Sequence, residues 1–153
     1  MRSFKAADAR RVVVTGLGSI SPVGNTVKEG WHSILSGLSG ISEISKFDAT
    51  GFAVNIAGEI KNFSISDFVS AKEARHMDTF IHYGIVAGEE AFNDSGYVVS
   101  ESNMEKIGVM VGSGIGGLPM IENTHSVLSE KGPRRVSPFF VPGSIINMIS
   151  GHL

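Results

Sequence analysis

Three features of the chain predict an α/β fold with a largely parallel sheet. Val12, Val13 and Val14 form an unbroken β-branched run, the mark of a strand buried on both faces. A second apolar run, residues 107–111, stops at a glycine cluster. Between and beyond these runs, apolar residues recur at helical spacing, and two of the helical segments open on capping boxes.

The first strand is read over residues 12–17, ended by Gly16 and Gly18 and followed by a Ser-Pro loop through Pro22 and Gly24. Thr26 and Glu29 form a T-x-x-E capping box, and Val27, Trp31, Ile34 and Leu35 supply the apolar face of the first helix. Gly37 is its natural stop. Residues 41–51 read as loop. Val54, Ile56 and Ile60 suggest a strand, with Gly58 as an irregularity. Ser70 and Glu73 form a second capping box, opening a long helix over 71–93. Its small residues Ala87, Gly88 and Ala91 invite close packing, and Ser95-Gly96 ends it. Ser102 and Glu105 start a short turn before the strand at 107–111. A helix is predicted over 119–130, with Pro119 at its first position. GPRRVSPFFVPG, with three prolines, reads as loop, and 144–150 as the start of a helix.

A chain of 153 residues with no linker or internal repeat is expected to form one unit over 1–153. A 42% hydrophobic and 18% charged composition argues for a packed globular segment. The net charge of -2 gives no support to a general nucleic-acid or membrane-surface role. No apolar run approaches the roughly 20 residues that span a bilayer. The first 18 residues read as a charged lead into a strand, with no cleavage-site pattern. The absence of cysteine removes disulfides, thiolate metal sites and the softest nucleophile. The N-x-S matches at Asn62 and Asn93 are read as chance.

Gly112, Gly114 and Gly117 fall in G-x-G-x-x-G spacing after an apolar run and before a helix. A dinucleotide site also needs a second strand ending in an acid, and a Gly-Pro-Arg-Arg turn stands there instead. Nucleotide binding is therefore the weaker reading. Close approach of a loop or substrate to the backbone is the stronger. The five histidines show no ligand spacing, Glu89 and Glu90 read as a solvated face, and no catalytic residue, metal site or cofactor is assigned. Lys72 and Arg75 sit three apart on one helix face, and Arg134 and Arg135 sit in an exposed-looking loop. In a slightly acidic chain such clusters suit an acidic partner, although on the residues alone a solvated helix face is the commoner explanation.

Five stretches together carry a resemblance: RRVVVTGLGSISPVGN, SGISEISKFD, KEARHMDTFIHYGIVAGEEAFNDSG, VGSGIGGLPMIEN and RRVSPFFVPGSIINMISGHL. The chain resembles the start of a beta-ketoacyl-acyl carrier protein synthase, a condensing enzyme of fatty acid synthesis. The resemblance implies the N-terminal part of a thiolase-like α-β-α-β-α fold, incomplete in this chain, and a homodimer in the intact enzyme. It implies decarboxylative Claisen condensation of acyl and malonyl thioesters carried by acyl carrier protein, in the cytoplasm and without cofactor. A cysteine nucleophile and two histidines do this chemistry in the family, and on the resemblance all three lie beyond GHL. The chain alone is then expected to be inactive and poorly soluble. The resemblance further implies that Gly114, Ile115 and Gly116 line the acyl pocket, with Ile115 as a gate. Phe140 would reach that pocket across the dimer interface. Lys72, Arg75, Arg134 and Arg135 match carrier-docking positions, and His76 stands where another basic residue is expected. Two other readings stay open here: a non-catalytic dimerising and carrier-binding module, and a small nucleotide-binding α/β domain. Polyketide synthases share the same motifs.

Overall fold

A computed structural model describes residues 10–153. Helix α1 spans Val27–Leu35, strands β1 and β2 span Ile41–Glu43 and Ile56–Gly58, and α2 spans Ala71–Ala74. Helix α3 spans Thr79–Asp94, α4 Leu118–Lys131, α5 Phe140–Ser144 and α6 Met148–His152. Short 3-10 turns lie at Met104–Lys106 and Pro133–Arg135.

Helix α3 is the organiser. Its inward face buries Ile81, Ile85 and Val86. Ile81 and Ile85 meet Ile149 of α6, with Met77, Phe80, Val111 and Met148 packed around them. Small residues let neighbours come close. A Cβ on Gly84 would lie 2.8 Å from Ile149 Cδ1, and one on Gly88 2.7 Å from Leu153 Cδ2. Gly16 and Gly18 run directly against the α3 backbone at Ala91 and Ala87, the close packing that the small residues of α3 invited.

The two strands expected from apolar runs are not formed. Residues 12–17 form no strand ladder, and Val12, Val13 and Val14 are 92%, 67% and 78% exposed. Residues 107–111 are also unpaired, and Val111 N–H donates to Ser150 Oγ at 3.1 Å. A strand exists through its ladder, and no neighbour supplies one to either run among the described residues. The sheet that does form is two-stranded and antiparallel, pairing Ile41 with Gly58, Ser42 with Ala57 and Glu43 with Ile56. Residues 41–43 are therefore strand and not loop, and the strand read across 54–60 shortens to Ile56–Gly58.

The helix read across 71–93 is broken between α2 and α3. Its opening is as expected: Ser70 Oγ accepts from Glu73 N–H and the Glu73 carboxylate accepts from Ser70 N–H. The break follows from a tertiary bond, because Asp78 N–H donates to Gly143 O at 2.9 Å and the Asp78 backbone is extended. Across the break, His82 Nε2 lies 3.0 Å from Ala74 O. A carbonyl can only accept, so this nitrogen carries the proton. The helix read across 144–150 begins only at Met148, as α6, while α5 and the turn at Pro133–Arg135 fall in the stretch read as loop. Ser144 O accepts from Gly117 N–H at 3.0 Å, which takes it out of the helical ladder.

Glu90 is not on a solvated face. Its carboxylate accepts from Ser19 N–H and from Val27 N–H, both at 2.9 Å. It thereby fixes the glycine-rich lead segment and the first turn of α1 together. Glu90→Ala should cost about 2 kcal/mol, because two backbone donors lose a charged acceptor. Urea unfolding of the purified variant measures it.

Glu59 ties the sheet to its loop. Its carboxylate accepts from Ser45 Oγ at 2.7 Å, Ser45 N–H at 3.0 Å and Lys46 N–H at 3.2 Å. The Ser45 hydroxyl, foremost, holds this carboxyl below the ordinary glutamate range. A depressed folded-state pKa stabilises above the unfolded value, and that stability is lost as pH falls through the folded one. Glu59→Gln should therefore flatten the acid limb of a stability-against-pH curve and leave its alkaline side unchanged in slope.

Candidate functional site

The glycine cluster at 112–117 divides into two halves that differ in their packing. A Cβ on Gly112 or Gly114 would meet nothing within 4 Å. Ile115 beside them is 67% exposed. Gly116 has φ +87°, a conformation that glycine adopts without strain. Its neighbours are Ser144 O and Ile146 Cγ2. Gly117 is buried, and a Cβ there would lie 2.8 Å from Asp78 Cβ and 2.9 Å from Ser144 Cα. So Gly116 and Gly117 seat the turn against α5, while Gly114 and Ile115 stand out from it.

Phe140 opens α5 and is half-buried; its N–H donates to Ser137 O at 3.1 Å. Beside the turn lies an open groove lined by Asp78, Phe80, Tyr83, Gly116, Pro119 and Phe63. Phe63 and Tyr83 meet edge to face at 4.9 Å. Neither aromatic stood out in the sequence, since Phe63 sits in a polar loop and Tyr83 in the helix interior.

The turn does not offer a phosphate site. Helix α4 follows it, and the Asp78 carboxylate already accepts from Met120 N–H in its first turn at 2.8 Å. A phosphate drawn to that helix end would meet a carboxylate of like charge. The nucleotide-binding alternative fails here.

One aromatic contact links the chain beside the first basic pair to the chain that follows the second. His76 stacks on Phe139 with ring centroids 3.7 Å apart and planes 19° from parallel. That contact joins the end of α2, with exposed Lys72 and Arg75, to the segment bearing exposed Arg134 and Arg135. Arg135 also lines a shallow cleft with Val127 and Lys131 of α4. His76 is thus half-buried and engaged by an aromatic ring, which the sequence pattern did not reveal. Among the described residues, no three His, Asp or Glu side chains gather as a metal site, and no helix is long and apolar enough to cross a membrane.

The fold places this molecule with layered α/β proteins of the ketosynthase class. It superposes on a type II polyketide ketosynthase, determined in complex with its acyl-carrier protein and bound to a hexaketide, with TM-score 0.76 and 28% identity. That match covers 95% of this chain and 38% of the other. A beta-ketoacyl synthase from Burkholderia phymatum superposes at TM-score 0.74 over 94% of the chain and 36% of the other; at 22% identity it speaks for the fold alone. The family profile of the beta-ketoacyl synthase N-terminal domain matches residues 9–153, and the chain belongs to this family. Two relatives, the 3-oxoacyl-[acyl-carrier-protein] synthase 2 of Vibrio harveyi and of Vibrio cholerae, are 56% and 57% identical over 144 residues. These cover 94% of this chain, which spans 35% of the relatives' length.

Proposed function

We propose that this chain serves as the N-terminal portion of a 3-oxoacyl-acyl carrier protein synthase, an acyltransferase that elongates acyl chains by decarboxylative condensation. The observation that carries the reading is the 56–57% identity to two such synthases across 94% of the chain. The geometry supports it. A backbone turn with glycine on both sides of an exposed Ile115 suits a passage for a flexible acyl chain. Phe140, on the helix packed against that turn, suits a second wall, and homodimer formation would let it serve a partner's pocket. The joined basic segments suit the acidic acyl carrier protein that delivers acyl and malonyl thioesters. The chain has no cysteine, so on this reading the thioester-forming nucleophile lies outside these residues and the chain alone does not condense. No cofactor enters the proposed reaction, which is placed in the cytoplasm.

The test is a graft. Residues 10–153 replace the matched stretch of the Vibrio cholerae relative, and elongation is assayed with acyl and malonyl carrier protein. Turnover near that of the parent is expected. A folded graft that loads the acyl group but forms no 3-oxoacyl product would contradict the reading.

A further inference from the structure

Asp78 occupies the N-cap position of α3 but makes no side-chain bond to its own helix. Its carboxylate instead reaches Met120 N–H, 42 residues away in sequence, at 2.8 Å. The reason lies in Gly117, the N-cap of α4. A cap residue ordinarily supplies a side-chain oxygen to the first turn. Gly117 has none, and a Cβ there would sit 2.8 Å from Asp78 Cβ. Close packing excludes the side chain that would cap α4, and Asp78 supplies that cap from another helix. Its charge lies at the start of both α3 and α4, where the backbone dipoles favour an anion. The residue as a whole is also buried, with 6% residual exposure.

The backbone of Asp78 makes a second tie, from its N–H to Gly143 O at 2.9 Å. Gly143 lies next to the end of the short helix that Phe140 begins, and Gly117 N–H donates to the carbonyl of its last residue, Ser144 O, at 3.0 Å. One residue therefore fastens the start of α3, the glycine turn and α5. It stands two positions after His76, the residue that joins the basic segments.

The geometry points to Asp78 as a positioning residue that holds the turn carrying Ile115, and the helix carrying Phe140, in register with the basic surface. This rests on the carrier-dependent condensing function proposed above. Asp78 touches no substrate; it acts through the turn. Binding of the carrier needs only the surface, whereas passage of the acyl chain needs the turn in place. Its loss should therefore separate the two.

In the grafted synthase, Asp78→Ala should leave KM for the acyl carrier protein near the parent value. kcat should fall roughly tenfold or more, as misplacement of a substrate-positioning segment does. Asp78→Asn keeps an acceptor oxygen for Met120 N–H and should recover most of that loss. In the 153-residue chain itself, hydrogen exchange at Met120 and Gly117 should quicken roughly tenfold or more in Asp78→Ala, the effect of losing a charge-assisted bond. It should stay near the parent rate in Asp78→Asn. A folded parent graft that loads the acyl group without turnover would refute the functional reading, and exchange would still decide whether Asp78 holds the turn. Unchanged exchange at both amides, a parallel rise in KM, or no recovery in Asp78→Asn would overturn the positioning role.

Discussion

Gly18→Ala should destabilise the fold by about 3 kcal/mol, at the upper end for forcing a methyl group into a packed site. The added Cβ would overlap the Ala87 carbonyl oxygen and lie 2.7 Å from Ala91 N and 2.9 Å from Ala87 C. All three atoms are backbone in the middle of α3, so no rotamer change relieves them. The lead segment would have to lift away. That movement would strain the bonds from Ser19 N–H to Glu90 and from Leu17 N–H to Asp94, each 2.9 Å. Gly108 provides the control. A Cβ there meets nothing within 4 Å, so Gly108→Ala should stay within about 0.5 kcal/mol of the parent. Urea unfolding followed by circular dichroism compares the two. Equal stability of both variants would mean that residues 16–18 do not lie against α3.

The second large effect concerns recognition. Reversing both Arg134 and Arg135 to glutamate should weaken binding of the acyl carrier protein at least tenfold at low salt. Each reversal replaces an attraction by a repulsion at a close charge pair, and about 1.4 kcal/mol is a factor of ten. Both residues are exposed, so the gap between variant and parent should shrink as salt rises and the Debye length falls below the pair separations. Lys28→Glu on α1 changes the net charge by the same sign but lies outside the basic segments, and it should leave affinity nearly unchanged. Calorimetric titration at two salt concentrations reads all three proteins. An equal loss in Lys28→Glu would assign the effect to net charge and not to the surface joined by His76 and Phe139.

Helix ends were the most legible part of the fold. Thr26 Oγ1 accepts from Glu29 N–H as its T-x-x-E pattern implies, although the Glu29 carboxylate turns back to Asn25 N–H. Ser70 and Glu73 make the complete reciprocal box, and Gly37 and Gly96, read as helix stops, have φ +67° and +63° just after α1 and α3. Capping is local, so sequence carries it. The strands at 12–17 and 107–111 were illegible for the opposite reason, since pairing depends on a neighbour and β-branched content cannot supply one. The breaks at 75–78 and 145–147 are likewise tertiary, set by Gly143 O and Gly117 N–H. At the site, glycine spacing singled out the turn, and the missing acid-tipped strand weighed against a nucleotide. The roles proposed for Ile115 and Phe140 came from the resemblance alone, whereas Lys72, Arg75, Arg134 and Arg135 were also marked by their charge as suited to an acidic partner. Asp78 went unnoticed because a helical pattern ran straight through it. An N-cap residue type inside a long predicted helix was the available clue.

Exposed apolar surface carries the remaining signal. Val12, Val13, Val14 and Met110 lie in the open, on segments whose backbone has no ladder. Patches of this kind mark surfaces made to be covered.

The most direct test of the central claim is amide chemical-shift mapping of this chain against acyl carrier protein, with and without a long acyl group on its thiol. The account predicts that the carrier alone perturbs residues 72–76 and 134–135. The acyl-loaded carrier should add perturbations at Gly114, Ile115, Gly116 and Phe140. Shifts confined to other faces, or an acyl group that adds nothing at the glycine turn, would contradict it.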